Sequence, residues 1–153
     1  MFIHLHDKNM AHCDVKLANV AIDDDFNCKL IDFGFAHEKK QCANQVLGTA
    51  RYMASELCYL QEDMSELNPC SSWEKTDVFS LGVALFVLRF GNFPFKKATH
   101  LDEEYLLFCQ DYVKFFRTHP LTKEKVACGE VSQDFLQLLR SLLWPDAKQR
   151  PTL

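Results

Sequence analysis

The chain has 153 residues, 48% of them apolar and 13 of them phenylalanine, a composition that excludes a disordered tail and suits one domain. Seventeen Lys and Arg against 21 Asp and Glu leave a net charge of −4, which excludes a basic nucleic-acid-binding face. The seven cysteines form no C-x-x-C pair, so neither a disulfide framework nor a zinc knuckle is expected. Reduced thiols in a soluble, cytoplasmic protein are the simpler expectation. His4 and His6 directly follow Phe2-Ile3, leaving no signal-peptide core. The longest apolar run, residues 81–88, is far shorter than the ~20 residues of a membrane span, so no membrane partner is expected.

In chain order, residues 1–9 read as the end of a helix. Two short strands follow, Val20–Ile22 and 28–31, joined by the turn-forming run Asp23-Asp24-Asp25-Phe26-Asn27. Residues 33–56 lack periodicity and read as a loop, and 57–72, with Pro69 and Ser71-Ser72, as a polar surface connection. Residues 77–89 are apolar nearly all round, which predicts a buried central helix. Residues 102–117 predict one amphipathic helix with Tyr105, Phe108, Cys109, Tyr112, Phe115 and Phe116 on its inner face, ended before Pro120. A last helix is expected from an N-cap at Ser132, with a stripe of Phe135, Leu138, Leu139, Leu142 and Leu143, ended by Pro145. The predicted class is mainly α, with one short β-hairpin and a buried central helix.

The informative residues flank the hairpin: His12-Cys13-Asp14-Val15-Lys16-Leu17-Ala18-Asn19 before it and Asp32-Phe33-Gly34 after it. Asn19 precedes the first predicted strand and Asp32 follows the second, so antiparallel pairing would set them opposite each other, with Cα atoms ~5 Å apart. Two oxygen-bearing side chains there suit Mg²⁺, which takes few protein oxygens at ~2.1 Å and fills its shell with water and phosphate. Asp14, ionised at neutral pH, can accept a hydroxyl proton, and Lys16 offers a cation beside it. A calcium loop over Asp23, Asp25 and Asn27 fails, because Cys28 stands at its sixth position and Gly34 at its twelfth. His4, His6 and His12 have no second ligand cluster to make a metal site. His12 and Cys13 are sequence neighbours and rarely could face each other as a nucleophile pair.

The first of these stretches resembles the catalytic loop H-R-D-L-x-x-x-N of eukaryotic-type serine/threonine protein kinases, and Asp32-Phe33-Gly34 their D-F-G. Gly48-Thr49-Ala50-Arg51-Tyr52-Met53-Ala54-Ser55-Glu56 resembles the end of their activation segment, with Ala54-Ser55-Glu56 in place of A-P-E. Asp77-Val78-Phe79-Ser80-Leu81-Gly82-Val83 resembles the start of the large lobe's central helix. Trp144 to Thr152, containing Asp146 and Arg150-Pro151, resembles the segment after its late helix.

The resemblance implies a protein-kinase-like C-lobe over residues 1–153 that passes the γ-phosphate of ATP to Ser/Thr hydroxyls of a protein substrate. It implies Asp14 as the catalytic base, Lys16 at the γ-phosphate, and Asn19 and Asp32 as Mg²⁺ ligands. Lys16, two places after the catalytic Asp, resembles the serine/threonine type. Ala21 would lie under the adenine ring, where the family usually has a larger aliphatic side chain. Gly48 and Thr49 would line the substrate-facing loop. Structural roles are implied for Asp77, bonded to the backbone of His12 and Cys13, and for a buried Glu56–Arg150 pair. His12 and Phe33 are expected to stack in the core, with Gly34 completing the motif.

The sequence departs from the family in lacking a glycine-rich phosphate loop, a V-A-I-K lysine and a Glu-bearing partner helix. A fragment is therefore expected, without the small ATP-gripping lobe and without the last part of the large one. Its partners would include the missing lobe or a regulatory protein, and its isolated activity would be negligible. Cys13 replaces the usual Arg, and residues 35–47 hold no Ser, Thr or Tyr, so activation by phosphorylation there is not expected. Two other readings stay open. One is a non-catalytic kinase-like scaffold that docks partners through aromatics of 102–117. The other, a small-molecule phosphotransferase, is opposed by Lys16, the 48–56 segment and the Glu56–Arg150 pair.

Overall fold

The computed structural model describes residues 2–38, 46–61 and 73–153. The chain enters through helix α1 (Phe2–Asp7) and strand β1 (Met10–Ala11), then passes through a 3₁₀ turn at Leu17–Asn19. Strands β2 (Val20–Ile22) and β3 (Cys28–Leu30) form the expected hairpin, with Val20 opposite Leu30 and Ile22 opposite Cys28. Its turn is closed by Asp23, whose Oδ1 accepts the backbone N–H groups of Asp25 and Asn27 at 3.1 and 2.9 Å. Asp23 is thus spent on the turn and on an ion pair with Lys29 (2.9 Å). Strand β4 (His37–Glu38) returns to pair with β1, inside a region the sequence reads as loop. Two-residue strands carry too little alternation to be seen in a sequence.

Helix α2 (Ser55–Gln61) occupies the start of the segment expected to be a surface connection; the remainder, residues 62–72, lies outside the described residues. So do residues 39–45, most of the stretch without phosphorylatable side chains. Helix α3 (Trp73–Phe90) is the central helix, begun one turn earlier than its apolar run because Trp73 is itself buried. Val78, Phe79, Val83 and Phe86 have no solvent exposure. Gly82 admits the last helix: a Cβ there would lie 2.9 Å from Leu142 Cβ and 3.0 Å from Leu143.

The predicted helix over 102–117 is two helices, α4 (Glu103–Gln110) and α5 (Tyr112–Thr118). The break is Asp111, whose carboxylate accepts from Lys114 N (2.9 Å) and caps α5, as Asp102 caps α4 through Tyr105 N (3.0 Å). Aspartate competes for backbone donors and so favours a cap over a helix interior. Tyr105, Phe108, Phe115 and Phe116 are buried in the core, whereas Cys109 is exposed. Helix α6 (Lys123–Ala127) was not expected. Helix α7 (Gln133–Leu142) starts at the Ser132 cap, which accepts Phe135 N at 3.2 Å. Its inward face is Leu136, Leu139 and Leu142, and Leu138 of the predicted stripe is 44% exposed.

The fold is mainly helical, packed around α3, with two small antiparallel ribbons at one side. Among the described residues no disulfide engages Cys13, Cys28, Cys58, Cys109 or Cys128. No described helix is long and apolar enough to cross a membrane.

Candidate active site

The loop between β1 and β2 is held from below by a carboxylate of the central helix. Asp77, 1% exposed, accepts the backbone N–H of His12 on Oδ2 (2.8 Å) and that of Cys13 on Oδ1 (2.9 Å). His6 Nε2 lies 3.1 Å from the same Oδ2. A buried carboxylate is tolerated when its lone pairs are filled in this way. The anchor has a conformational consequence. Cys13 stands at φ 65°, the left-handed region, where a non-glycine residue costs about 1–3 kcal/mol and persists only when its surroundings hold it.

His12, fully buried, joins the two halves of the site. Its Nδ1 accepts Asp14 N (3.3 Å), so its Nε2 carries the proton and donates to Ile31 O (3.2 Å). Its ring meets that of Phe33 edge-on, with centroids 5.1 Å apart. Phe33 itself is 49% exposed, so the expectation that both rings stack in the core holds only for His12. No described element covers the outer face of Phe33.

Asp14 is 4% exposed and sits at the centre of a closed polar network. Its Oδ2 accepts Lys16 Nζ (2.6 Å) and Asn19 Nδ2 (3.2 Å), and its Oδ1 accepts Thr49 Oγ1 (2.7 Å). Lys16 Nζ also donates to Thr49 Oγ1 (3.0 Å), and Asn19 Nδ2 to Asp14 O (2.9 Å). Burial pushes the Asp14 carboxyl up. The hydrogen bonds from Lys16 and Thr49, the Lys16 charge and the bond from Asn19 outweigh it and hold the group below its ordinary value. The result is an ionised acceptor of fixed orientation.

Gly48 brings Thr49 to that network. Its φ is 104°, and a Cβ would fall 2.4 Å from the carbonyl oxygen of Cys13. Gly48→Ala combines a backbone clash with a conformation that side chains avoid, and is expected to destabilise the chain by about 1–3 kcal/mol. A midpoint shift of that size in urea unfolding, with unchanged slope, is the measurement that checks it.

Asp32 is placed differently from the expectation. Ile31 N donates to Asn19 O (2.9 Å), so Asn19 faces Ile31 and Asp32 lies one residue beyond the pairing. Asp32 is exposed, adopts φ 62°, and accepts Gly34 N on Oδ1 (3.2 Å). That local turn swings the backbone out of the ladder. Ala21 is half-buried in β2 opposite Lys29.

The oxygen donors that the sequence assigns to a divalent cation are the exposed Asp32 carboxylate and the Asn19 amide oxygen, which is left open because the amide nitrogen is turned to Asp14. Hard, sparse oxygen donors fit Mg²⁺, which keeps most of its shell from water and phosphate. Among the described residues no group of three His, Cys, Asp or Glu forms a metal cage of its own. His6 and His12, considered as ligands in the sequence, bond to Asp77 and Ile31 instead.

Glu56 and Arg150 meet as a bidentate pair, Nη1 to Oε1 at 2.7 Å and Nη2 to Oε2 at 2.8 Å. Two contributors escape sequence reasoning. His6 reaches Asp77 only through the fold, and Ser80 Oγ donates to Tyr52 O (2.8 Å), tying α3 to the 48–56 segment. Neither has a local signal.

The protein kinase domain model matches residues 2–153. The serine/threonine-protein kinase CHK1 of Saccharomyces cerevisiae is 29% identical over 150 residues, 94% of this chain and 26% of that protein. The serine/threonine-protein kinase plk-1 of Caenorhabditis elegans is 30% identical over 155 residues, 98% of this chain and 20% of that protein. The serine/threonine-protein kinase SBK1 of Danio rerio is 38% identical over 105 residues, 67% of this chain and 26% of that protein. The chain therefore spans 20–26% of the length of these relatives. A match running from the first helix to the last residue leaves no part of the described fold outside it, and the chain belongs to the protein kinase domain family.

Proposed function

We propose that the chain is the large, catalytic lobe of a serine/threonine protein kinase, and that it passes the γ-phosphate of ATP to Ser/Thr hydroxyls of proteins once a small ATP-gripping lobe is added. One observation carries the reading: Asp14 is ionised and oriented by Lys16, Asn19 and Thr49 at the end of a loop bolted to the central helix. In this role Asp14 takes the proton of the substrate hydroxyl and aims its oxygen at phosphorus. Lys16 moves with the transferred group from Asp14 toward the phosphoryl oxygens, neutralising charge there. Asn19 and Asp32 would hold Mg²⁺, which would supply neutralisation of the phosphate oxygens. Thr49, bonded to both Asp14 and Lys16, lines the path of the substrate backbone and couples its arrival to the catalytic pair.

A second lobe would have a surface to cover on this chain. Ile22 (64%), Phe26 (88%), Ile31 (45%), Phe33 (49%) and Phe35 (44%) are exposed on and beside the hairpin. Large apolar side chains gathered in this way mark a face that another body covers. The scaffold reading draws less support, because Tyr105, Phe108, Phe115 and Phe116 of the aromatics it relied on lie in the core, and Tyr112 alone is partly exposed.

The experiment is transfer of radiolabelled γ-phosphate from Mg²⁺–ATP to a mixed Ser/Thr/Tyr peptide pool. The 153-residue chain alone is expected to show no turnover above its Asp14→Asn variant. The same chain fused behind a small lobe is expected to label Ser and Thr but not Tyr. Turnover by the isolated chain would overturn the need for a second lobe, and an inert fusion that binds ATP would overturn catalysis.

A further inference from the structure

Three elements outside the site converge on one guanidinium. Arg140 of α7 packs with its Cζ 4.1 Å from the ring centre of Tyr112, the first residue of α5, and 4.5 Å from that of Trp144. Its Nε is buried with no acceptor, and no hydrogen bond or carboxylate engages Arg140 among the described residues. The rings alone hold it, and the planar fork of donors remains unspent.

The rings are themselves anchored. Trp144 O accepts Arg150 Nε (2.7 Å), and the following Pro145 O accepts Arg150 Nη2 (3.1 Å), so the Glu56–Arg150 pair fixes the loop that carries Trp144. Tyr112 sits on the first turn of α5, directly after the Asp111 cap.

Arg140 lines a cleft of about 410 Å³ together with Gln137, Ser141, Trp144 and Gln149, a lining without a single acid. The Gln137 and Gln149 side chains are exposed amides able to donate. Arg140 and Trp144 also line an adjoining cleft that holds Asp111 and Asp146, neither of them paired with Arg140 and each accepting a helix-capping N–H, Asp111 from Lys114 and Asp146 from Lys148. Among the described residues Arg140 is the one charged group that lines the first cleft, so that cleft favours an anionic guest, and Asp111 and Asp146 confine the preference to it. Trp, Tyr and Arg are also the residues that dominate binding energy in protein interfaces.

We propose that Arg140, braced by Tyr112 and Trp144, anchors a docking site for an acidic protein segment. An Asp or Glu carboxylate of the segment pairs with the Arg140 fork, and its neighbouring polar groups bond to Gln137 and Gln149. The cleft shares no lining residue with the network around Asp14, so docking here leaves that network free.

Trp144 supplies the reporter, since Trp73 is 2% exposed and serves as the internal control. The test is an NMR titration of the full 153-residue chain with a capped peptide of alternating Glu and Asp, following both indole N–H signals. The Trp144 signal is expected to move and that of Trp73 to stay. The matching Gln/Asn peptide is expected to leave both unchanged. Arg140→Gln should weaken the interaction at least about tenfold. Arg140→Lys should weaken it less, keeping charge but losing the fork. Should Arg140→Gln unfold, Gln137→Glu, on the exposed side of α7, places a carboxylate in the cleft and should weaken binding in the same direction. The proposal is overturned if the acidic peptide leaves Trp144 unmoved at millimolar concentration. It is equally overturned if the Gln/Asn peptide binds as well, or if the folded variants bind as the parent does.

Discussion

Replacing Asp14 by asparagine in the lobe fused to an ATP-gripping partner is expected to lower phosphoryl transfer by about 10²–10⁴-fold, the usual worth of a positioned general base. The substitution is nearly isosteric, and the surrounding bonds can be kept. An asparagine oxygen in the place of Oδ2 still accepts from Lys16 and Asn19, and the new amide nitrogen can donate to Thr49 Oγ1, a hydroxyl able to accept. What is lost is the charge and the proton acceptor. Urea unfolding at neutral pH should therefore show a folded variant, separating lost chemistry from lost structure. The pH dependence gives a second readout. The folded-state carboxyl lies below its ordinary value of 3.8, so the unfolded chain binds its proton first as pH falls. The stabilisation is present above that ordinary value and is lost as pH drops through it and through the lower folded value. The parent should thus lose stability between about pH 5 and pH 3 more steeply than the variant. A variant with more than a tenth of parental turnover would remove Asp14 from the reaction. Parallel acid profiles would remove the charge network from the stability argument.

The parts of this fold that could be read in advance are those where one local force dominates. The run from Val78 to Leu88 is apolar nearly all round and buries Val78, Phe79, Val83 and Phe86 completely, leaving only its end, Leu88, 70% exposed. Ser132 offers a hydroxyl three residues before the first apolar residue of a stripe, Phe135, and it caps α7 as that pattern predicts. The residues failed where two forces were close to balance. Helical spacing of aromatics runs straight through Asp111, yet the side chain of Asp111 gains more as a cap than as a helical residue, and the helix splits. A strand end at Ile31 differs from one at Leu30 by a single ladder bond, but it decides whether Asp32 faces Asn19 or turns outward onto Gly34 N. The motif named the residues around Asp14. The bonds that give Asp14 its state arise from Thr49 and Lys16, and only the left-handed glycine at 48 lets Thr49 arrive. His6 on Asp77 lies beyond any local reading, since the two are 71 positions apart.

Arg150→Ala should be the most damaging single change to the fold. The side chain is wholly buried, and each of its N–H donors has an acceptor. Nε reaches Trp144 O at 2.7 Å. Nη1 reaches Glu56 Oε1 (2.7 Å) and Lys75 O (2.8 Å), and Nη2 reaches Glu56 Oε2 (2.8 Å) and Pro145 O (3.1 Å). The guanidinium also lies 4.9 Å over the ring of Phe79, so α2, α3 and the loop after α7 are joined through one group. Removing it strands the Glu56 carboxylate, whose side chain is only 18% exposed, and takes the side-chain donor from Trp144 O, whereas Pro145 O keeps the Ser55 hydroxyl at 3.3 Å. Breaking a buried pair from one side costs about 3–5 kcal/mol, against a total of about 5–15 kcal/mol for a domain. Arg150→Lys restores charge but at most three donors from a point, without the fork, and should recover a minor part of the loss. Glu56→Gln keeps one acceptor for the pair and should cost less than Arg150→Ala. Urea unfolding of the three variants should rank Glu56→Gln above Arg150→Lys and both above Arg150→Ala. Because the same group steadies Trp144, Arg150→Lys, if still folded, should broaden the Trp144 indole signal while Trp73 remains sharp. An Arg150→Ala variant within about 1 kcal/mol of the parent, the ordinary range of a surface substitution or single weak hydrogen bond, would show that helix packing around α3 suffices without the arginine knot.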